Sequence, residues 1–169
     1  MRELLIIRHA IAHERDASKW PNDDERPLTE EGIRKFRQVA RGLKRLVDAP
    51  DEMLTSRLPR ARQTAAILEE QAAFPAAIEL DMLRPDTEIS ALIRALQARG
   101  AARIAVVGHE PDLSQLIGAL AGSQGARAAV EMKKGAVAHL AFERRIKAGS
   151  GQLLALLPPR VLRALRRKG

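Results

Sequence analysis

Short unbroken apolar runs punctuate this chain, and each is halted by a polar or charged group. Leu4-Leu5-Ile6-Ile7 stops at Arg8-His9, and Ile104-Ala105-Val106-Val107 stops at Gly108-His109. Four apolar residues without alternation predict a strand covered on both faces, as in a parallel sheet. Met53-Leu54-Thr55 predicts a shorter strand, and residues 135–143 and 151–157, joined through Gly149-Ser150-Gly151, predict two more. Between them the pattern changes to helical spacing. Ile33, Phe36, Val39, Ala40, Leu43 and Val47 form one amphipathic face that should end before Pro50, with Thr29 as N-cap and Glu30 and Glu31 complementing the helix dipole. Residues 60–71 and 88–99 predict a second and a third helix, through Ala61, Thr64, Ala65 and Leu68 and through Ile89, Leu92, Ile93 and Leu96. Asp112 is placed to cap a fourth helix over 113–120, ahead of a loop at 122–125. Residues 12–25 and 76–87 read as irregular.

Strands alternating with helices predict the α/β class, a three-layer α/β/α sandwich with a mostly parallel central sheet. In such sheets ligands bind beyond the carboxyl ends of the strands. Three predicted strand ends carry chemistry: Arg8-His9, then Ser56-Arg57 with Arg60, and His109. If those strands are neighbours, two imidazoles and two or three guanidiniums meet on one rim.

Composition narrows what the rim is for. A length of 169 residues predicts a single domain, 1–169, and 46% hydrophobic with 30% charged residues is a globular balance. One Trp, three Phe and no Tyr leave an aliphatic core and argue against stacking on nucleic-acid bases. The absence of Cys excludes disulfides, thiolate metal sites and a Cys nucleophile, and fits a cytoplasmic protein. No apolar run approaches a membrane-spanning length. The net charge of +8 invites a nucleic-acid reading, but Arg160, Arg163, Arg166, Arg167 and Lys168 supply five of those charges and leave +3 for the other 159 residues. The basic segment 159–169 is read as a solvated terminal helix, with Val161, Leu162 and Leu165 as a stripe against the body. No nucleic-acid or membrane partner is therefore expected.

Two imidazoles flanked by guanidiniums make a pocket for a doubly charged oxyanion, with phosphate foremost because Arg presents planar bidentate donors to its oxygens. Neither GxxxxGK[ST] nor GxGxxG occurs, so a nucleotide cofactor is not supported. Neighbouring Arg residues disfavour a divalent cation at His9 and His109, so neither metal nor cofactor is expected. A neutral His held beside phosphate can attack phosphorus and form a phosphoimidazole intermediate while the Arg groups stabilise the equatorial oxygens.

The motifs carry a family resemblance. Arg8-His9 after a buried strand resembles the RHG signature of the histidine phosphatase superfamily, the phosphoglycerate-mutase-like enzymes, with Ala10 in place of Gly. Ser56-Arg57-Leu58-Pro59-Arg60-Ala61-Arg62-Gln63-Thr64-Ala65 resembles its SxxxRAxQTA stretch, and Val106-Val107-Gly108-His109-Glu110-Pro111 its second-histidine motif. Arg26-Pro27-Leu28-Thr29 with Gly32, the compact length, and Met132-Lys133-Lys134-Gly135-Ala136 are similar to the short SixA-type branch of phosphohistidine phosphatases.

The resemblance implies a phosphoglycerate-mutase-like fold, metal-independent hydrolysis through a covalent phosphohistidine, His9 as nucleophile, Arg8 and Arg60 as phosphate clamps, and His109 as a phosphate ligand. Arg57 does not match the motif arginine and is a secondary substrate-binding candidate. No carboxylate falls cleanly on the family's general-acid position; Asp86, Glu88 and Glu110 are the candidates. A phosphoramidate needs less acid than an alkoxide leaving group, so the expected substrate is a histidine-phosphorylated protein. The alternatives are a small-molecule phosphomonoesterase of the same superfamily and a non-catalytic phospho-ligand binding module. A monomer is expected. His13 and His139 read as structural or exposed, Trp20 as a mouth or edge residue, and Lys133 and Lys134 as a solvated hairpin or a source of positive field near the rim.

Overall fold

The computed structural model describes residues 1–122 and 130–166. Six strands, β1 (Arg2–Arg8), β2 (Glu52–Thr55), β3 (Ala77–Glu79), β4 (Arg103–Gly108), β5 (Val137–Phe142) and β6 (Gln152–Leu157), form one sheet in the order β3-β2-β4-β1-β5-β6. The sheet is parallel from β3 to β1 and antiparallel at β5 and β6, so it is mixed, with a parallel half that carries the predicted strand ends. Five α-helices cover it: α1 (Glu30–Leu43), α2 (Pro59–Ala72), α3 (Ile89–Gln97), α4 (Asp112–Ala121) and α5 (Pro159–Leu165).

The unbroken apolar runs are explained by where their side chains go. Leu5, Ile7, Ala105 and Val107 enter a core with Phe36, Val39, Leu43, Leu68 and Leu162 from α1, α2 and α5. Leu4, Ile6, Ile104 and Val106 enter the opposite core with Leu92, Leu96, Leu113, Leu116 and Leu120 from α3 and α4. Alternate residues of one strand feed both layers, which is the three-layer sandwich. Each fully buried Leu or Ile contributes roughly 1.5–3 kcal/mol relative to exposure.

Local chemistry sets the helix boundaries. The Thr29 hydroxyl accepts from the Gly32 N–H at 2.9 Å, capping α1 as expected, and Pro59 opens α2 at a position where its missing N–H is harmless. Asp112 departs from expectation: it lies inside α4 and its carboxylate accepts from the Thr87 N–H at 3.3 Å, tying α4 to the 84–88 loop instead of capping its own helix. The 76–87 segment holds β3, a three-residue edge strand whose partly exposed residues give no apolar run. The predicted strand at 135 begins two residues later, because Gly135 sits in a turn with φ +81° and donates to the carbonyls of both Arg8 and His9.

The C-terminal stripe is narrower than its spacing implied. Leu162 is fully buried, while Val161 and Leu165 are exposed. α5 packs directly on α1 at Gly42, where a Cβ would lie 1.9 Å from the Leu162 carbonyl oxygen. Part of the expected loop at 122–125 and the last three residues of the basic segment, including Arg167 and Lys168, lie outside the described residues. None of the described helices is long and apolar enough to cross a membrane.

Candidate active site

β1, β4 and β2 are adjacent, and the polar residues that halt their runs therefore converge. The ladder continues past the strands: the His9 N–H donates to the Gly108 carbonyl at 3.1 Å and the Ser56 N–H to the Val107 carbonyl at 3.0 Å. The His9 and His109 rings lie 5.1 Å apart, centroid to centroid, and both residues are buried. His9 Nδ1 lies 2.7 Å from the Ala10 carbonyl oxygen. A carbonyl only accepts, so Nδ1 carries the proton and Nε2 is left with its lone pair.

Electrostatics keep both rings neutral. Burial pushes the His9 pKa down to about 3, with Arg60, Arg8 and Lys134 adding to the effect against the opposing Ala10 contact. Burial, then His9, Arg60, Arg8 and Arg26, pushes His109 down to about 2. Burial also lowers the pKa of Arg8, opposed by Glu110 and Glu131, and of Arg60, reinforced by Arg26 and opposed by Asp23; guanidinium remains charged at neutral pH.

Among the described residues, the buried side-chain nitrogens without a hydrogen-bond partner are Arg8 Nε, Arg60 Nε and both ring nitrogens of His109. Buried polar atoms are ordinarily satisfied, so a cluster of orphans at one place marks a site built for a ligand. Each guanidinium is also held at one terminal nitrogen. Arg8 Nη1 donates to the Met132 carbonyl at 2.6 Å, and Arg60 Nη1 to the Asp23 carbonyl at 3.0 Å.

Nothing in the sequence singles out Asp23, and Arg26 enters only as part of the Arg26-Pro27-Leu28-Thr29 resemblance, without a role at the site. Arg26 is buried, its Nε donating to Asp23 Oδ1 at 2.9 Å and its Nη1 to the His13 carbonyl at 2.5 Å. Asp23 also lies 3.7 Å from Arg60 Nη2 and 3.6 Å from Arg15 Nε, and the Arg26 hydrogen bond is the main cause of its lowered pKa. Asp23 thus braces Arg60 from the 12–25 loop. Residues quoted only for their motif also have visible work. The Thr64 hydroxyl accepts from the Ala10 N–H at 3.0 Å and donates to the Arg60 carbonyl at 2.7 Å, and Gln63 Oε1 accepts from the Leu28 N–H at 2.8 Å. One turn of α2 therefore fixes the loop after His9 and the segment before α1. Polar residues three and four places after a site arginine, Gln63 and Thr64 after Arg60, were the available signal.

Other candidates lie elsewhere. Arg57 is exposed and pairs with Asp81 at 3.4 Å. Asp86 is exposed with φ 65°, and exposed Glu88 accepts from the Ser90 hydroxyl. Glu110 is close enough to act on Arg8, but its two oxygens accept from the Ser114 N–H at 3.1 Å and the Ser114 hydroxyl at 2.5 Å. His139 bonds Glu3 at 2.9 Å, and exposed His13 lies 5.6 Å from Trp20. No group of three or more His, Cys, Asp or Glu able to hold a metal gathers among the described residues.

Residues 4–84 match the sequence profile of the histidine phosphatase superfamily, branch 1. An uncharacterized protein of Picosynechococcus is 34% identical over 158 residues, covering 92% of this chain and 94% of its own. The structure of the protein histidine phosphatase SixA complexed with tungstate superposes with a TM-score of 0.80 at 27% identity, covering 95% of this chain and 99% of that one. The proposed phosphohistidine phosphatase SixA of Agrobacterium tumefaciens matches with a TM-score of 0.75 at 21% identity, covering 94% and 98%. A more distant fold neighbour, at 15% identity and a TM-score of 0.63 over 96% and 100% of the chains, is the phosphoserine phosphatase of Entamoeba histolytica in complex with 3-phosphoglyceric acid. With the phosphoglycerate-mutase-like fold and the motifs in register on it, the chain belongs to the histidine phosphatase superfamily, on its SixA-type branch.

Proposed function

We propose that this protein is a phosphohistidine phosphatase that works through a covalent intermediate on His9. The observation that carries the reading is the His9 tautomer: Nδ1 is held by the Ala10 carbonyl, and the free Nε2 belongs to a rim whose unpartnered nitrogens come from Arg8, Arg60 and His109. Nε2 attacks phosphorus, the Nε2–P bond forms, and the P–N bond to the substrate imidazole breaks, its electron pair leaving with that ring, which takes a proton from water. A second water then attacks the phospho-His9, releasing inorganic phosphate and returning Nε2 its lone pair. Arg8 and Arg60 neutralise the equatorial oxygens in both steps, and His109 contacts the same group. No metal or cofactor enters this scheme.

The carboxylates favour a phosphoramidate substrate. Asp86 and Glu88 are exposed, and Glu110 is engaged by Ser114, which leaves an alkoxide leaving group poorly served. The tungstate complex of the similar SixA supports a phosphoryl pocket at this rim, since tungstate is a tetrahedral oxyanion. One observation favours a small phosphomonoester instead: Glu110 lies near Arg8, and release from Ser114 would free an acid beside the clamp.

A phosphohistidine peptide and p-nitrophenyl phosphate, each incubated with the enzyme in EDTA, separate the readings. Faster turnover of the peptide supports the proposal, preference for p-nitrophenyl phosphate supports the phosphomonoesterase, and binding of phosphate without release from either would show a phospho-ligand binding module.

A further inference from the structure

Several basic residues outside the catalytic rim line a cleft near it. A cleft of about 400 Å³ lies between α5, the start of its approach and the 131–136 segment, lined by Lys133, Arg160 and Arg163 together with Glu131, Leu156 and Pro159. Pro159 and Arg163 also line a smaller hollow whose walls include Ala10, Lys134 and Gly135. The two hollows thus share a wall, the second reaches Ala10 next to His9 in the chain, and Lys134 is close enough to lower the His9 pKa. Lys133, Lys134, Arg160 and Arg163 make no ion pair among the described residues. Two acids temper the field: Glu131 in the cleft wall and Glu31, on which Arg163 acts from a distance.

Four cations against that background leave a surface complementary to negative charge, and Leu156 and Pro159 give it an apolar floor. Resting on the reading of His9 above, we infer that this cleft docks an acidic segment of the protein substrate that flanks its phosphohistidine. A protein segment suits it better than a polynucleotide. The lining offers no aromatic platform for bases, and its volume suits two or three side chains. The positive field steers the partner toward the rim while Arg8 and Arg60 hold the phosphoryl group.

Charge reversal at Arg160→Glu with Arg163→Glu tests this, with Arg160→Gln and Arg163→Gln as a milder pair should the reversal fail to fold. Two phosphohistidine peptides, one flanked by Asp and Glu and one by Gln, are compared with phosphoimidazole. The native enzyme should favour the acidic peptide in kcat/KM by roughly five- to tenfold at low salt, and 0.5 M salt or either double variant should erase that preference. Turnover of phosphoimidazole should stay within about twofold, because a surface charge pair acts weakly on a buried centre. Equal turnover of the two peptides by the native enzyme overturns the inference, as does an equal loss on phosphoimidazole.

Docking also has a readout that needs no turnover, the anisotropy of a labelled, unphosphorylated acidic peptide. Salt-sensitive binding that the variants abolish supports the cleft even if no phosphohistidine is hydrolysed, in which case the reading of the catalytic rim is the one that fails. Tighter binding of a single-stranded oligonucleotide of equal charge assigns the cleft to nucleic acid and overturns the inference.

Discussion

Arg60 is 3% exposed, bonded to the Asp23 carbonyl and braced by the Asp23 carboxylate, whereas Arg163, of the same chemistry and also on a helix, lines an open cleft with no ion pair among the described residues. The buried guanidinium acts through a low effective dielectric and in one orientation, so its effect on a developing charge is large and little affected by salt. The other, partly exposed in an open cleft, is reached by solvent and screened within about 8–10 Å at ordinary ionic strength. Positive charge near this active site is thus of two kinds, one suited to chemistry and the other to encounter. The formal net charge merges them.

The largest expected effect falls on the rim. His9→Ala should lower kcat by about 10³-fold or more and abolish alkali-quenched labelling by a ³²P-phosphohistidine substrate; retained labelling would remove His9 as the nucleophile. Arg60→Ala should lower kcat/KM by about 10²–10³-fold, with no recovery on changing salt. A salt-sensitive defect would place Arg60 with the cleft arginines.

The depressed imidazole pKa values link the rim to folding. His9 at about 3 and His109 at about 2 lie below the unfolded value near 6.5, so the folded state holds fewer protons than the unfolded one in that window. Stability contributed by their neutrality is full above pH 6.5 and is lost as pH falls, by up to about 1 kcal/mol per pH unit for each ring. Urea melts between pH 7 and 5 should show the loss, and His109→Gln should flatten it; an unchanged slope would mean that this imidazole is not held neutral. Thr64→Val removes the hydroxyl that accepts from the Ala10 N–H, at a cost of about 1–3 kcal/mol in urea unfolding, with a fall of about tenfold in kcat as the His9 loop loosens. The smallest effect should come from Arg57→Ala: its exposed pair with Asp81 predicts a kcat change of less than about twofold, and a larger one would return Arg57 to the substrate-binding set.

Sequence pattern carried the architecture where burial is two-sided. Strands such as 104–107 have no solvent face, so their hydrophobicity is continuous and their ends are sharp. β3 stayed hidden because a three-residue edge strand, half in solvent, needs no apolar run. The convergence of His9 and His109 was legible because each immediately follows such a run. The bracing of Arg60 by Asp23 was not, since the contact spans 37 residues and its loop has no periodicity to betray it. Asp112 had the residue type and place of a helix cap, yet burial raises its pKa and its carboxylate answers the Thr87 amide of another segment. Leu162, Val161 and Leu165 shared one helical stripe in sequence, but a seven-residue helix docked at Gly42 buries only the residue at the contact.

Among the described residues both ring nitrogens of His109 are buried without a partner, beside the His9 ring and the two guanidiniums. Burial is the main cause of the depressed histidine pKa values and the neighbouring guanidiniums add to it; a dianion settling between them offsets that second contribution, so the bound state holds its protons more tightly than the free state. Oxyanion capture is then proton-coupled. In titration calorimetry carried toward the low pH at which these rings titrate, the apparent enthalpy of tungstate capture should vary with the ionisation enthalpy of the buffer.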